Sequence, residues 1–92
     1  DNYFVSPNGD GINDVLIIEK MELSPNNSIQ IFNRFGLKVF EMVNYTDEFG
    51  GISNVDNLII NREQGLPEGV YFYVISLDDL GLNYQGFLFL DR

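Results

Sequence analysis

The run Ser6-Pro7-Asn8-Gly9-Asp10-Gly11-Ile12-Asn13-Asp14 places side-chain oxygens at closely spaced positions near the start of the chain. Oxygen ligands in such spacing are the chemistry of a hard cation, above all calcium. Compared with a loop of the form D-x-[DN]-x-[DN]-G, Ser6, Asn8 and Asp10 take the first three ligand places and Gly11 takes the tight turn. The Ile12 carbonyl falls at the next place and Asp14 at the one after. The first place is a serine and the last is Ile17, where a calcium loop needs a bidentate glutamate. A complete EF-hand loop is therefore absent. The candidate calcium ligands are Asn8, Asp10, the Ile12 carbonyl and Asp14, with Asp1, Asp78 or Asp79 as supplements in space. A second reading uses the same residues: Asn and Asp side chains bond nearby backbone amides and hold an ordered turn.

The rest of the inventory offers little to a catalyst. There is no histidine, so the usual base near neutral pH, any Ser-His or Cys-His pair and the commonest zinc ligand are missing. No pair of acids stands out from the solvated ones, and a non-enzymatic role is expected. There is no cysteine, so no disulfide can supplement the core, which fits an exported protein. Fourteen acidic against five basic residues give a net charge of -9. That balance repels phosphate backbones and anionic lipid, and sets nucleic acid aside as a partner. No apolar run approaches the roughly 18 residues of a membrane span, so no direct membrane insertion is expected.

The elements that must position these residues read as strands. Ninety-two residues, 45% of them hydrophobic, suit one small domain. Runs rich in Val, Ile, Phe and Tyr cover 15–20, 28–35, 38–43, 58–61, 70–77 and 84–90, with a short addition at 2–5. Turn clusters separate them: Ser24-Pro25-Asn26-Asn27, Phe35-Gly36, Phe49-Gly50-Gly51, Leu66-Pro67-Glu68-Gly69 and residues 78–81. No sustained helical period appears, so helix is a minor component. The expected fold is all-β, an immunoglobulin-like antiparallel β-sandwich of about seven strands.

Ile29, Ile31 and Phe35 are expected on one face of their strand, with Gln30 and Arg34 opposite. Residues 70–75 and 87–90 are apolar on both faces. One face fills the core; the other is either covered within the domain or left as a recognition stripe. Residues 87–90 would be an aggregation hazard as an edge, so they are expected inside the sheet or in strand addition to a partner. Asn33-Arg34-Phe35-Gly36 reads as a hairpin turn, with Gly36 at positive φ and Asn33 capping. Tyr71 and Tyr73 are expected to place rings in the core and hydroxyls at its rim.

In order along the chain, the motifs resemble those of a known family. Residues 6–14 resemble the opening signature of the gliding motility-associated C-terminal domain. This is the type B C-terminal domain of type IX secretion system cargo in Bacteroidetes. Ile31-Phe32-Asn33-Arg34-Phe35-Gly36, followed by Lys38-Val39-Phe40-Glu41, resembles its next turn and strand. Tyr45 with Phe49-Gly50-Gly51, then residues 66–75, then residues 86–92, resemble the segments that follow. Phe35 and Phe49 stand where tryptophan is usual, and Val70 stands where threonine is usual.

The resemblance implies a C-terminal sorting signal. Residues 1–92 are read as a single domain cut from a much larger surface protein, such as an adhesin. Its expected route is export through the periplasm to the cell surface or medium. Its expected partners are an outer-membrane β-barrel and the translocon of the secretion system, and the domain itself is expected to be monomeric. The residues expected to meet the partner are Asn8, Asp10, Asn13 and Asp14, the turn residues Asn33, Arg34 and Phe35, and Phe87, Phe89 and Arg92 near the end. The alternative, from a different class, is an adhesive or carbohydrate-binding sandwich with calcium-dependent loops. No cofactor is assigned beyond that calcium.

Overall fold

A computed structural model describes residues 2–9, 11–19, 21–57 and 59–92, with Asn2 described in its backbone alone. The protein is all-β. Strands β1 (Asn2–Val5), β2 (Asn27–Phe32), β3 (Lys38–Val43), β4 (Gly69–Leu77) and β5 (Leu82–Leu90) form one sheet. Their order is β1-β5-β4-β2-β3. Every pairing is antiparallel except β1 with β5, which run parallel from Asn2↔Phe87 to Val5↔Leu90. One 3-10 turn, Met21–Leu23, is the helical element among the described residues. Among those residues no helix is long and apolar enough to cross a membrane.

Five strands in one sheet are described where about seven in two sheets are expected. The second layer is built from the connections between strands. In segment 15–19 Leu16 and Ile18 are buried and Ile17 is exposed. It is not a ladder strand: the Leu16 amide goes to the Phe49 carbonyl at 2.8 Å. Leu58 lies outside the described residues, and 59–61 is no strand either. There the Asn57 side chain intervenes, its Oδ1 accepting the amides of Ile59 and Ile60, each at 2.8 Å. A side chain that takes backbone donors in this way competes with a strand ladder.

The core lies between one sheet face and these connections. Ile29, Ile31, Val39, Phe40, Tyr71, Tyr73, Ile75, Leu77, Leu88, Leu90 and Val5 point down from the strands. Leu16, Ile18, Met21, Tyr45, Phe49, Ile60 and Leu66 rise from the connections to meet them. Phe49 packs edge-on to Phe40 with centroids 4.9 Å apart. Tyr45 fastens the cover to itself: its hydroxyl donates to Leu16 O at 2.5 Å and accepts from Phe49 N at 3.1 Å. Burial raises the pKa of this phenol far above its ordinary value, with Asp47 and Glu48 adding to the shift against the lowering effect of the Phe49 amide.

Asn27 joins both connections to β2. Its Nδ2 donates to Ser24 O and Met21 O, and its Oδ1 accepts the Tyr45 amide. Tyr71 and Tyr73 do place their rings in the core, and the Tyr71 hydroxyl reaches the Pro67 carbonyl at 2.6 Å.

Strands β3 and β5 hold different places in the sheet, β3 at an edge and β5 inside. At β3 the Asn54 side chain imitates a neighbouring strand: Oδ1 accepts Glu41 N at 2.9 Å and Nδ2 donates to Glu41 O at 2.6 Å. Asn54 N adds a bond to Val39 O, and Asn57 Nδ2 one to Lys38 O. This closes the edge against stray pairing. β5 is no edge at all, since β1 and β4 flank it. Its apolar residues are therefore paired inside the sheet.

Candidate functional site

The topology gathers the expected partner residues at one end of the sheet. β1 ends at Val5 beside Leu90, and Leu90 stands opposite Gly69 at the start of β4. β2 ends and β3 begins at the same end, with Phe32 opposite Lys38 and Phe72. Loop 6–14, turn 33–36, turn 66–69 and residues 91–92 all leave the sheet there. Asn8, Asn13, Asp14, Asn33, Arg34, Phe35 and Arg92 thus share one end, with Phe89 one step inside it. Phe87 lies further along the sheet, opposite Phe72 and Asn2. Asp10 falls outside the described residues.

Loop 6–14 is held by its own polar groups. The Ser6 amide donates to Asn13 O at 2.7 Å and closes the loop. The two carboxylate oxygens of Asp14 accept the amides of Gly9 at 3.0 Å and Gly11 at 2.7 Å. Both glycines have φ near +80°, a region that side chains with a Cβ rarely occupy. Ile12 is exposed. Among the described residues no group of three acids, histidines or cysteines is placed to hold a metal. The chemistry visible in this loop is a carboxylate satisfying backbone donors.

Turn 33–36 follows the sequence reading in its polar groups and departs from it in Phe35. Gly36 has φ of +83°, and Asn33 Oδ1 accepts the amides of Phe35 and Leu37 at 2.9 and 3.0 Å. That cap ends β2 at Phe32, so Phe35 does not join Ile29 and Ile31 in the core. Its ring is 74% exposed, with the Arg34 guanidinium 4.9 Å from its centroid. Beside it runs a groove of about 480 Å³, bordered by Arg34, Phe35, Ile59, Pro67, Val70 and Tyr71.

Arg92 turns inward. Its guanidinium donates to the carbonyls of Leu66 and Gly51, and its amide donates to Glu68. Gly51 has φ of +82°, and a Cβ there would stand 2.9 Å from Arg92 Nη2. The side chain therefore pins the covering loops to the end of β5.

The sheet face away from the core is apolar and exposed. Phe4, Phe72, Phe87 and Phe89 are exposed there at 38–47%, together with Val70 and Val74. Phe4 stacks on Phe89 across β1 and β5, with centroids 6.0 Å apart. Phe72 meets Phe87 across β4 and β5 at 5.0 Å. Of the two possibilities left open by the sequence for residues 70–75 and 87–90, the structure shows the uncovered one. Sequence reasoning singled out Phe87 and Phe89 but missed Phe4. The signal was present in Tyr3-Phe4-Val5, a third short run apolar on both faces.

A family model described as the CHU_C type IX secretion signal domain matches residues 1–90. No curated protein and no solved structure matches the chain.

Proposed function

The chain belongs to the type IX secretion signal domain family, and we propose that it acts by docking, as a folded unit, on an outer-membrane partner of the secretion machinery. Membership makes it a secretion signal, directs it toward the cell surface and implies contact with that machinery. The step beyond membership is the mode of contact. It is supported by one observation: loop 6–14, turn 33–36 and residues 91–92 leave the sheet at the same end. Segments far apart in sequence form one surface only when the sheet is assembled. A partner reading Asn8, Asp10, Asn13, Asp14, Asn33, Arg34 and Phe35 together, with Phe87, Phe89 and Arg92 behind them, reads the fold and not a linear tag. Recognition then takes place in the periplasm, after folding and before passage to the surface.

The test fuses residues 1–92 to a periplasm-directed reporter in a bacterium that has the type IX system. Reporter at the surface, lost on deletion of the translocon, is the expected result. A folded fusion that stays in the periplasm overturns the reading. Arg34→Glu with Phe35→Ala separates folding from recognition, because both side chains are exposed. The pair should lower export severalfold and leave the melting temperature within a few degrees of the parent.

A further inference from the structure

We infer that the groove between turns 33–36 and 66–69 receives a partner segment in which a carboxylate stands beside an apolar side chain, and that Arg34 takes the carboxylate. The inference rests on the docking reading and names the chemistry that the partner must bring. The groove has a volume of about 480 Å³. Val39, Leu66 and Tyr71 line it as buried residues, and Phe35 and Ile59 line it as exposed ones, at 74% and 67%. Such a volume falls within the ~300–1,000 Å³ of small-ligand pockets and suits a short extended segment.

The charges in the groove itself decide the occupant. Two charged residues line it, Arg34 and Glu68. They do not pair with each other: Glu68 accepts the Arg92 amide at 3.2 Å, and the Arg34 guanidinium lies 4.9 Å from the centroid of the Phe35 ring. The other described bases each meet an oxygen. Lys38 meets Glu41 at 2.8 Å, Arg62 meets Asp56 at 3.7 Å, and Arg92 meets the carbonyls of Leu66 and Gly51. Among the described residues Arg34 is the base without an oxygen partner, in a chain with fourteen acidic residues. Stacking uses the face of a guanidinium and leaves its N–H fork free in the plane. A carboxylate accepts that fork through two parallel hydrogen bonds. The apolar lining fixes the rest: a bare anion leaves it wet, whereas a side chain next to the carboxylate fills it. An anionic membrane sets many charges against a domain of net charge -9, and a second copy brings another nine. A short segment brings the one acid that Arg34 lacks.

Paired charge substitutions in the reporter fusion test the sign of the occupant. Ile59→Glu and Ile59→Lys lose the same apolar surface, so the difference between them reads charge. Export of the Glu variant should be severalfold below that of the Lys variant. The same pair of substitutions at Val43, exposed at the far end of β3, should show no such difference, which separates the groove from the net charge of the domain. Arg34→Gln should lower export about threefold, the worth of one exposed ion pair. Arg34→Lys should fall between Arg34→Gln and the parent, because it keeps the charge without the fork. All these side chains are exposed, and each variant should melt within a few degrees of the parent. Equal export of Ile59→Glu and Ile59→Lys, or parental export of folded Arg34→Gln, overturns the inference and leaves the docking reading standing. A folded, unmodified fusion that stays in the periplasm removes that reading, and the inference with it. Sedimentation of the 92-residue domain should show a monomer; a dimer that Arg34→Gln dissolves would assign the groove to a second copy and overturn the inference. Flotation with phosphatidylglycerol vesicles should leave the domain unbound; binding abolished by Arg34→Gln would assign the guanidinium to lipid phosphate and overturn it likewise.

Discussion

Along β4, Tyr71, Tyr73, Ile75 and Leu77 lie beneath the connecting segments, while Val70, Phe72 and Val74, one residue out of step, face outward. The same alternation holds at the end of β5, where Leu88 and Leu90 are covered and Phe87 and Phe89 are bare, while residues 82–85 are exposed on both faces. Both faces are apolar, so hydrophobicity does not distinguish them. What distinguishes them is the path of the connections. Segments 6–26 and 44–68 both cross the same side, and Leu16, Tyr45, Phe49 and Leu66 bury themselves there. The covered face is stabilised by the removal of water; the bare one leaves that driving force unused within the domain. An apolar strand therefore marks a core only where something in the chain comes back to cover it.

The sharpest way to break the comparison is to truncate an aromatic ring on each face. Phe49→Ala opens a cavity beside Phe40 under the cover and should cost about 3–5 kcal/mol in urea unfolding. A loss below about 1 kcal/mol would mean that the cover is not a packed layer. Tyr45→Phe removes only an oxygen, yet it leaves the Phe49 amide without its buried acceptor, and about 1–3 kcal/mol is expected. On the bare face, Phe87→Thr forfeits little more than its ring contact with Phe72 and should change stability by about 1 kcal/mol or less. Comparable losses from Phe49→Ala and Phe87→Thr would show that the outer rings serve folding and not recognition.

Much of the sheet was legible in the sequence. Residues 38–43 form β3 as expected, and 70–77 form β4 with only Gly69 added. In those runs alternating burial and strand propensity point the same way. The run 15–19 shows why the pattern has limits. Leu16 and Ile18 alternate with exposed Ile17 whether the backbone pairs in a ladder or merely packs, because burial has the same period in both. Hydrogen-bond partners are not written in that period. Phe35 was misplaced for a local reason: Asn33 caps the turn and stops β2 before the ring can reach the core. The clamp of Asn54 on Glu41 and the parallel pairing of β1 with β5 had no local signal, since the partners are distant in sequence. Loop 6–14 and turn 33–36 leave the same end of the sheet, the first from edge strand β1 and the second between β2 and the opposite edge strand β3, so the candidate site was legible in its residues and not in its shape.

The smallest effect expected concerns how the cover is fastened to the sheet. At the end opposite Arg92, Asp79 in the β4–β5 turn holds the segment that leads into β2. Its carboxylate accepts the Asn26 amide and the Asn26 side chain, each at 2.9 Å, and Ser24 Oγ lies at 3.3 Å. The bond from the Asn26 amide chiefly, with those from the Asn26 and Ser24 side chains, holds the Asp79 pKa below its ordinary value of 3.8. A depressed folded pKa means that the ionised form is favoured in the fold. The stabilisation is therefore complete above about pH 5, where an unfolded aspartate is almost fully ionised, declines as pH falls past the unfolded pKa and is lost as pH falls through the lower folded value. Asp79→Asn retains one acceptor but not the charge. Its stability deficit relative to the parent should be small and constant from neutral pH down to about pH 5, and should then shrink as the medium is made more acid. Paired urea midpoints across that range measure the difference directly. A deficit that stayed constant into acid would show that the turn is held by hydrogen-bond geometry alone, and that the charge on Asp79 contributes nothing to fastening the cover.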